Sequence, residues 1–202
     1  MNKETREERI LSTAREHFSM CGYYGARMDT IASESKINKR IVYEFCHTKE
    51  ELYMMVLSDV SRNTAKIFDE WFETISPNTP NALYAGIIDT LENNPIFIRL
   101  WAWERLSTTI HGPRILETCS SIFEKLRTRI QTQNPSISDE QFEAVEALCH
   151  GYLLTSAMYM RCDPETDIAE TSENSSLACR RLETTMKCQA VLLESIQKLL
   201  DA

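Results

Sequence analysis

Between positions 27 and 52 the chain reads RMDTIASESKINKRIVYEFCHTKEEL. Asn38, Lys39 and Arg40 set one amide beside two cations, a combination suited to base edges and phosphate oxygens. Tyr43 follows one helical turn later with a hydroxyl able to reach a phosphate. Lys49 opens the next helix and adds its charge to the positive end of that helix dipole. Arg27 stands ahead of the first short helix and His47 just behind the second. The candidate polyanion contacts are therefore Arg27, Asn38, Lys39, Arg40, Tyr43, His47 and Lys49. This is chemistry for holding a charged partner rather than for breaking a bond.

Two short helices must position these groups. Ile31 and Ala32 form the apolar stripe of the first, which begins near Met28. Ile37, Ile41, Val42 and Phe45 form that of the second, and Asn38 is placed to cap its free N–H groups. Two helices of about two turns, joined by a few residues, have the size of a helix-turn-helix. In that motif the second helix leads with its N-terminal residues into the major groove of DNA.

These residues carry a resemblance to a known family. ILSTAREHFSMCGYYGARMDTIA, then INKRIVYEF, then KEELY resemble the DNA-binding head of the TetR (tetracycline repressor) family, over about the first third of the chain. The resemblance is to members with GAR before the first motif helix and NKR at the head of the reading helix. Two positions depart from the pattern. Lys36 stands where the family usually has the turn glycine, and a non-glycine at a left-handed position costs about 1 kcal/mol. Cys46 stands where phenylalanine is usual, so that corner of the core must repack.

Only 5 glycines and 6 prolines in 202 residues favour helix over sheet. The net charge of −8 at first argues against nucleic acid, but its distribution does not. The first sixty residues carry nine Lys and Arg against ten Asp and Glu, and the remainder thirteen against twenty. A near-neutral head on an acidic body suits a protein that meets DNA at one end. MNKETREERI is charged and amphipathic rather than a signal peptide, and no apolar run is long enough for a bilayer. Seven irregularly spaced cysteines then point to reduced thiols in a cytoplasm, with no membrane partner.

Along the rest of the chain, Leu11, Ala14, Phe18 and Cys21, widened by Ile10, mark a first helix over residues 4–21 that stops at Gly22. Lys3 and Arg6 read as a solvated end. A long helix from Lys49 to Ile75 carries Leu52, Val56, Val60, Ile67, Trp71 and Ile75, and SPNTPN ends it. A helix over Asn81–Asn93 follows. PIFIRLWAWERLSTT, opened by Pro95 and closed by Gly112 and Pro113, is apolar on more than one side, since Trp101 and Trp103 cannot share a face. A further helix spans Arg114–Gln133, with Ile115, Leu116, Ile122, Phe123, Leu126 and Ile130 inward. Ser138 and Asp139 begin a helix to Arg161 with two apolar stripes. One is Phe142, Val145, Cys149, Tyr152 and Met160; the other is Ala144, Ala147, Gly151, Leu154 and Met158. Acidic residues 162–175 read as a loop. A last helix from Ser176 to Leu200 carries Leu182, Gln189, Leu193, Ile196 and Leu200, with Cys188, Leu192 and Leu199 beside them.

The expectation is an all-α fold of about nine helices, with a three-helix DNA-binding domain over 1–50 and a helical body over 51–202. In the TetR family the last two helices form a four-helix dimer contact, which the resemblance implies here through Ala147, Gly151, Leu154, Leu193 and Ile196. The family also keeps an effector site inside the body. Tyr84, Phe97, Trp101, Trp103, His111, Tyr152 and Met158 are candidates to line it, although each taken singly suits a core. No C-x-x-C and no i, i+4 His pair occurs, so Cys149 with His150, or Cys162 with Asp163, is no metal set, and no cofactor is expected. No phosphate loop, dinucleotide fingerprint or nucleophile elbow is present, which speaks against an enzyme. The expected activity is that of a homodimeric regulator on a palindromic operator, released by a small apolar or aromatic effector. A thiol-switched regulator and a helical interaction module without DNA binding are the alternatives.

Overall fold

The structure, a computed structural model, describes residues 5–75, 79–107, 111–159 and 187–201. Lys3, Met160, Leu182, the acidic stretch 162–175 and the beginning of the last helix lie outside them. The described residues are helical or connecting, without strand. Helices α1 (Arg6–Gly25), α2 (Met28–Glu34) and α3 (Lys39–Cys46) form the head. They are followed by α4 (Lys49–Thr74), α5 (Pro80–Glu92), α6 (Pro95–Leu106), α7 (Pro113–Gln133) and α8 (Asp139–Tyr159). A further helix, α9, covers residues 187–200.

Local chemistry explains the boundaries. Thr5 and Glu8 form a capping box at α1, and Asn38, Thr48, Thr79 and Asn94 cap α3, α4, α5 and α6 with their side chains. Pro80, Pro95 and Pro113 each occupy a first helical turn, where a missing N–H is harmless. Pro113 thus opens α7 rather than closing α6, which ends earlier, at Leu106. The returning chain brings His111 and Gly112 back so that both backbone N–H groups donate to Glu104 Oε2 at 2.9 Å.

The centre of the body is α6, which packs against α1, α4, α5, α7 and α8. Phe97, Ile98, Leu100 and Trp101 are all buried, as the apolar sequence demands. Trp101 lies beside His150 of α8, at 5.5 Å between ring centroids. Trp103 turns instead toward α1, where its indole N–H donates to the Ser19 carbonyl at 3.0 Å.

Two stripes differ in detail from the sequence reading. The buried line of α1 is Ile10, Ala14, Phe18 and Gly22, whereas Cys21 is exposed. Gly22 does not stop α1 but kinks it, at φ 65 and ψ −177. On α4 the buried line continues from Val60 through Ser61, Thr64 and Phe68, leaving Ile67 45% exposed. Thr64 is tolerated inside because its hydroxyl accepts from Asn94 Nδ2 at 2.9 Å.

Candidate nucleic-acid interface

The reading helix α3 has one anchored side and one open side. Val42 and Cys46 are buried at 0% and 1% exposure, and the Cys46 thiol donates to the Val42 carbonyl at 3.1 Å. Cysteine thus fills the corner where phenylalanine is usual. Asn38 caps the helix, its Oδ1 accepting from the Arg40 N–H at 2.9 Å. The open side presents Asn38, Lys39, Arg40 and Tyr43, all exposed.

The turn between α2 and α3 is strained and braced. Lys36 adopts φ 55, a left-handed backbone that a lysine enters at some cost. Arg9 of α1 donates to the carbonyls of Ser35 and Lys36 across this turn. The Lys36 and Ile37 N–H groups reach Ser33 and Ala32 carbonyls at 3.1 and 3.0 Å. The backbone groups of the turn are therefore satisfied without glycine. His17 joins α1 to α2 through Glu34 at 2.7 Å, and Arg15 joins α1 to Asp59 of α4 at 3.2 Å. α3 packs against α2 and α4, which are in turn held by α1.

Lys39 and Arg40 are each matched by a nearby acid. Lys39 Nζ lies 2.5 Å from Asp29, which raises the lysine pKa, and Arg40 pairs with Glu44 at 2.9 Å. Such exposed pairs are weak and yield readily to a phosphate. Arg27 is exposed at the start of α2, and His47 is exposed at φ 49 where α3 ends. Lys49 is half-buried, with its ammonium 4.8 Å from the centre of the Tyr23 ring; burial lowers its pKa. In the chain, Arg27 precedes α2, Asn38, Lys39, Arg40 and Tyr43 belong to α3 and its cap, His47 follows α3, and Lys49 opens α4.

The candidate effector residues do not gather in one place. Tyr84, Phe97 and Trp101 are core side chains at 1–3% exposure, and Met158 lies on the surface at 63%. Trp103 and His111 line a cavity of about 280 Å³ between α1, α4 and α6, together with Tyr23, Tyr24, Tyr53 and Glu104. Tyr152 borders a separate groove of about 400 Å³ between α8 and α9, with Leu148, Val191 and Leu192. Tyr152 also donates to Glu92 at 2.7 Å. Sequence reasoning passed over Glu104, the one acid among the apolar residues of α6. Its isolation in that segment was the available signal.

Of the candidate dimer residues, Ala147 and Gly151 are exposed, Leu154 and Leu193 half-buried, and Ile196 fully buried in the chain's own core. Leu148, Met158 and Val191 add exposed apolar surface nearby, at 39–63%. Near His150, Cys119 and Cys149 are buried, and burial pushes both thiols up to about 12. They are thiols rather than thiolates at neutral pH, which makes them poor nucleophiles.

Among the described residues, no helix is long and apolar enough to cross a membrane. No protein-family profile matches the chain. The HTH-type transcriptional repressor SCO4008 of Streptomyces coelicolor is 29% identical over 102 residues. That alignment takes in 50% of each chain, so it spans about half of the relative's length. In structure the chain is similar to SCO4454, a TetR-family transcriptional regulator from Streptomyces coelicolor, at TM-score 0.62, 15% identity and 95% coverage of both chains. It is also similar to the transcriptional regulator FadR from Bacillus subtilis, solved in complex with stearoyl-CoA. There the TM-score is 0.61 and the identity 12%, over 92% of this chain and 96% of FadR. With a braced helix-turn-helix at one end and a helical body arranged as in those proteins, the chain has the fold of the TetR-family transcriptional regulators.

Proposed function

We propose that the chain is a cytoplasmic DNA-binding transcriptional regulator, a homodimeric repressor released from a palindromic operator by a small ligand. The observation that carries this reading is α3, with Val42 and Cys46 locked inward and Asn38, Lys39, Arg40 and Tyr43 turned to solvent. Lys39 and Arg40 read bases or anchor the helix, while Tyr43, Lys49 and Arg27 hold phosphates. One such helix buries too little surface for tight specific binding, so a second copy is required. The exposed apolar face of α8 and α9 supplies the contact, through Ala147, Gly151, Leu154 and Leu193. The repressor name of the relative and the ligand seen in FadR support the same reading.

The test begins with selection of binding sites from random duplexes, followed by gel shift. A two-fold symmetric site should emerge, its half-sites about 34–36 Å apart. Lys39→Ala should weaken binding roughly tenfold and relax preference at one base position in each half-site. If Lys39→Ala left both affinity and preference intact, α3 would not be the reading helix.

A further inference from the structure

The cavity between α1, α4 and α6 has walls and a charge that DNA contact does not use. Tyr23, Tyr24, Tyr53, Trp103 and His111 supply aromatic surface around about 280 Å³. Tyr23 stacks on His111 at 4.1 Å between centroids and lies 5.3 Å from Tyr53. Tyr24, 73% exposed, stands edge-on to Tyr23 at the rim.

Into this aromatic space the fold sets a carboxylate. The Glu104 side chain is 1% exposed. Its oxygens accept from the Tyr53 hydroxyl at 2.8 Å and from the His111 and Gly112 N–H groups at 2.9 Å. These neutral donors satisfy its lone pairs but leave its net charge in place. Among the described residues the one basic group within 4 Å is His111, whose Nδ1 is 3.7 Å away. That nitrogen is buried without a hydrogen-bond partner, on a side chain 7% exposed. A buried negative charge without a full counter-charge is unfavourable, and aromatic faces carry negative potential. Both features select for positive charge and against anions.

We propose that this cavity binds a small organic cation, a quaternary or protonated amine, held by the Tyr and Trp rings and the field of Glu104. A cation here would share the Tyr23 ring with the Lys49 ammonium, 4.8 Å from the same centroid. Occupancy would therefore disturb a residue at the DNA-facing edge; this coupling rests on the regulatory reading above, while the binding itself does not.

The experiment is calorimetric titration of the full chain with benzyltrimethylammonium, with choline, and with 3,3-dimethylbutan-1-ol, the uncharged isostere of choline. Both cations should bind, and the alcohol should bind about tenfold more weakly than choline or worse. Glu104→Gln should weaken the cations further than the alcohol. Since that change also alters a buried network, Tyr24→Leu provides the second variant. It keeps apolar bulk at an exposed rim and should weaken cation binding roughly two- to fivefold. Absence of binding by both cations, or equal affinity for choline and the alcohol, would overturn the proposal. Operator binding is measured separately without any cation. A chain that binds cations but no DNA upholds the cavity and sinks the regulatory reading; one that binds DNA but neither cation does the reverse.

Discussion

Gly22 is the position where a single methyl group should do the most damage. Its φ of 65 with ψ −177 lies in a region that only glycine enters comfortably. A Cβ built there would sit 2.7 Å from Trp103 Cδ2 and 2.9 Å from Cε3. The indole cannot retreat freely, because its N–H is bonded to the Ser19 carbonyl. Gly22→Ala therefore combines backbone strain of about 1–3 kcal/mol with overpacking of about 1–3 kcal/mol, roughly 2–6 kcal/mol in all. For a chain of this size that lowers the melting temperature by on the order of 10 °C. Thermal melts followed by circular dichroism at fixed protein concentration would measure it. Trp103→Leu in the Gly22→Ala background should recover the overpacking part and not the backbone part. A Gly22→Ala protein melting within about 1 °C of the parent would refute the argument that the α1 kink is locked against α6.

Three further outcomes are expected. Lys49→Ala should weaken binding on every DNA sequence alike and flatten the salt dependence by about one unit for each phosphate that the lysine no longer neutralises; an unchanged slope would remove Lys49 from the phosphate-holding set. Ala147→Glu or Leu193→Glu should place a charge in the dimer contact and give monomers, whereas unchanged dimers by sedimentation would move the interface elsewhere. Tyr53→Phe removes one donor to buried Glu104 and should lower stability by about 1.5–3 kcal/mol in chemical denaturation.

The helices are legible in the sequence because each carries a local signal: a cap, a proline in the first turn, or an apolar line at helical spacing. Asn38 reads as a cap and acts as one. Lys36 reads as a left-handed turn residue and adopts φ 55, while the brace from Arg9, 27 positions earlier, leaves no local trace. The same limit applies to the junction cavity. Tyr23, Tyr53, Glu104 and His111 are scattered over nearly ninety positions, and only tertiary packing brings them together. Thr64 escapes notice because a polar residue inside a helix looks like an exposed one until Asn94 is seen beside it. Tyr84, Phe97 and Trp101 stand among the effector candidates because apolar side chains of a core and of a binding site look alike along a chain.

The packing of α6 against α1 has a consequence for biosynthesis. The partners Ser19 and Trp103 are 84 positions apart. While the ribosome has released only the first seventy-five residues, the groove of α1 that will receive Trp103 faces water. At about 5–20 residues per second, several seconds pass before α6 can close it. The first helix of the head is thus packed against the body through α6. A truncation that ended after α4 would leave Phe18 and Tyr53 beside an unfilled slot. Such a fragment should be less soluble than the whole chain, and any graft of this head onto another body would have to carry a substitute for α6.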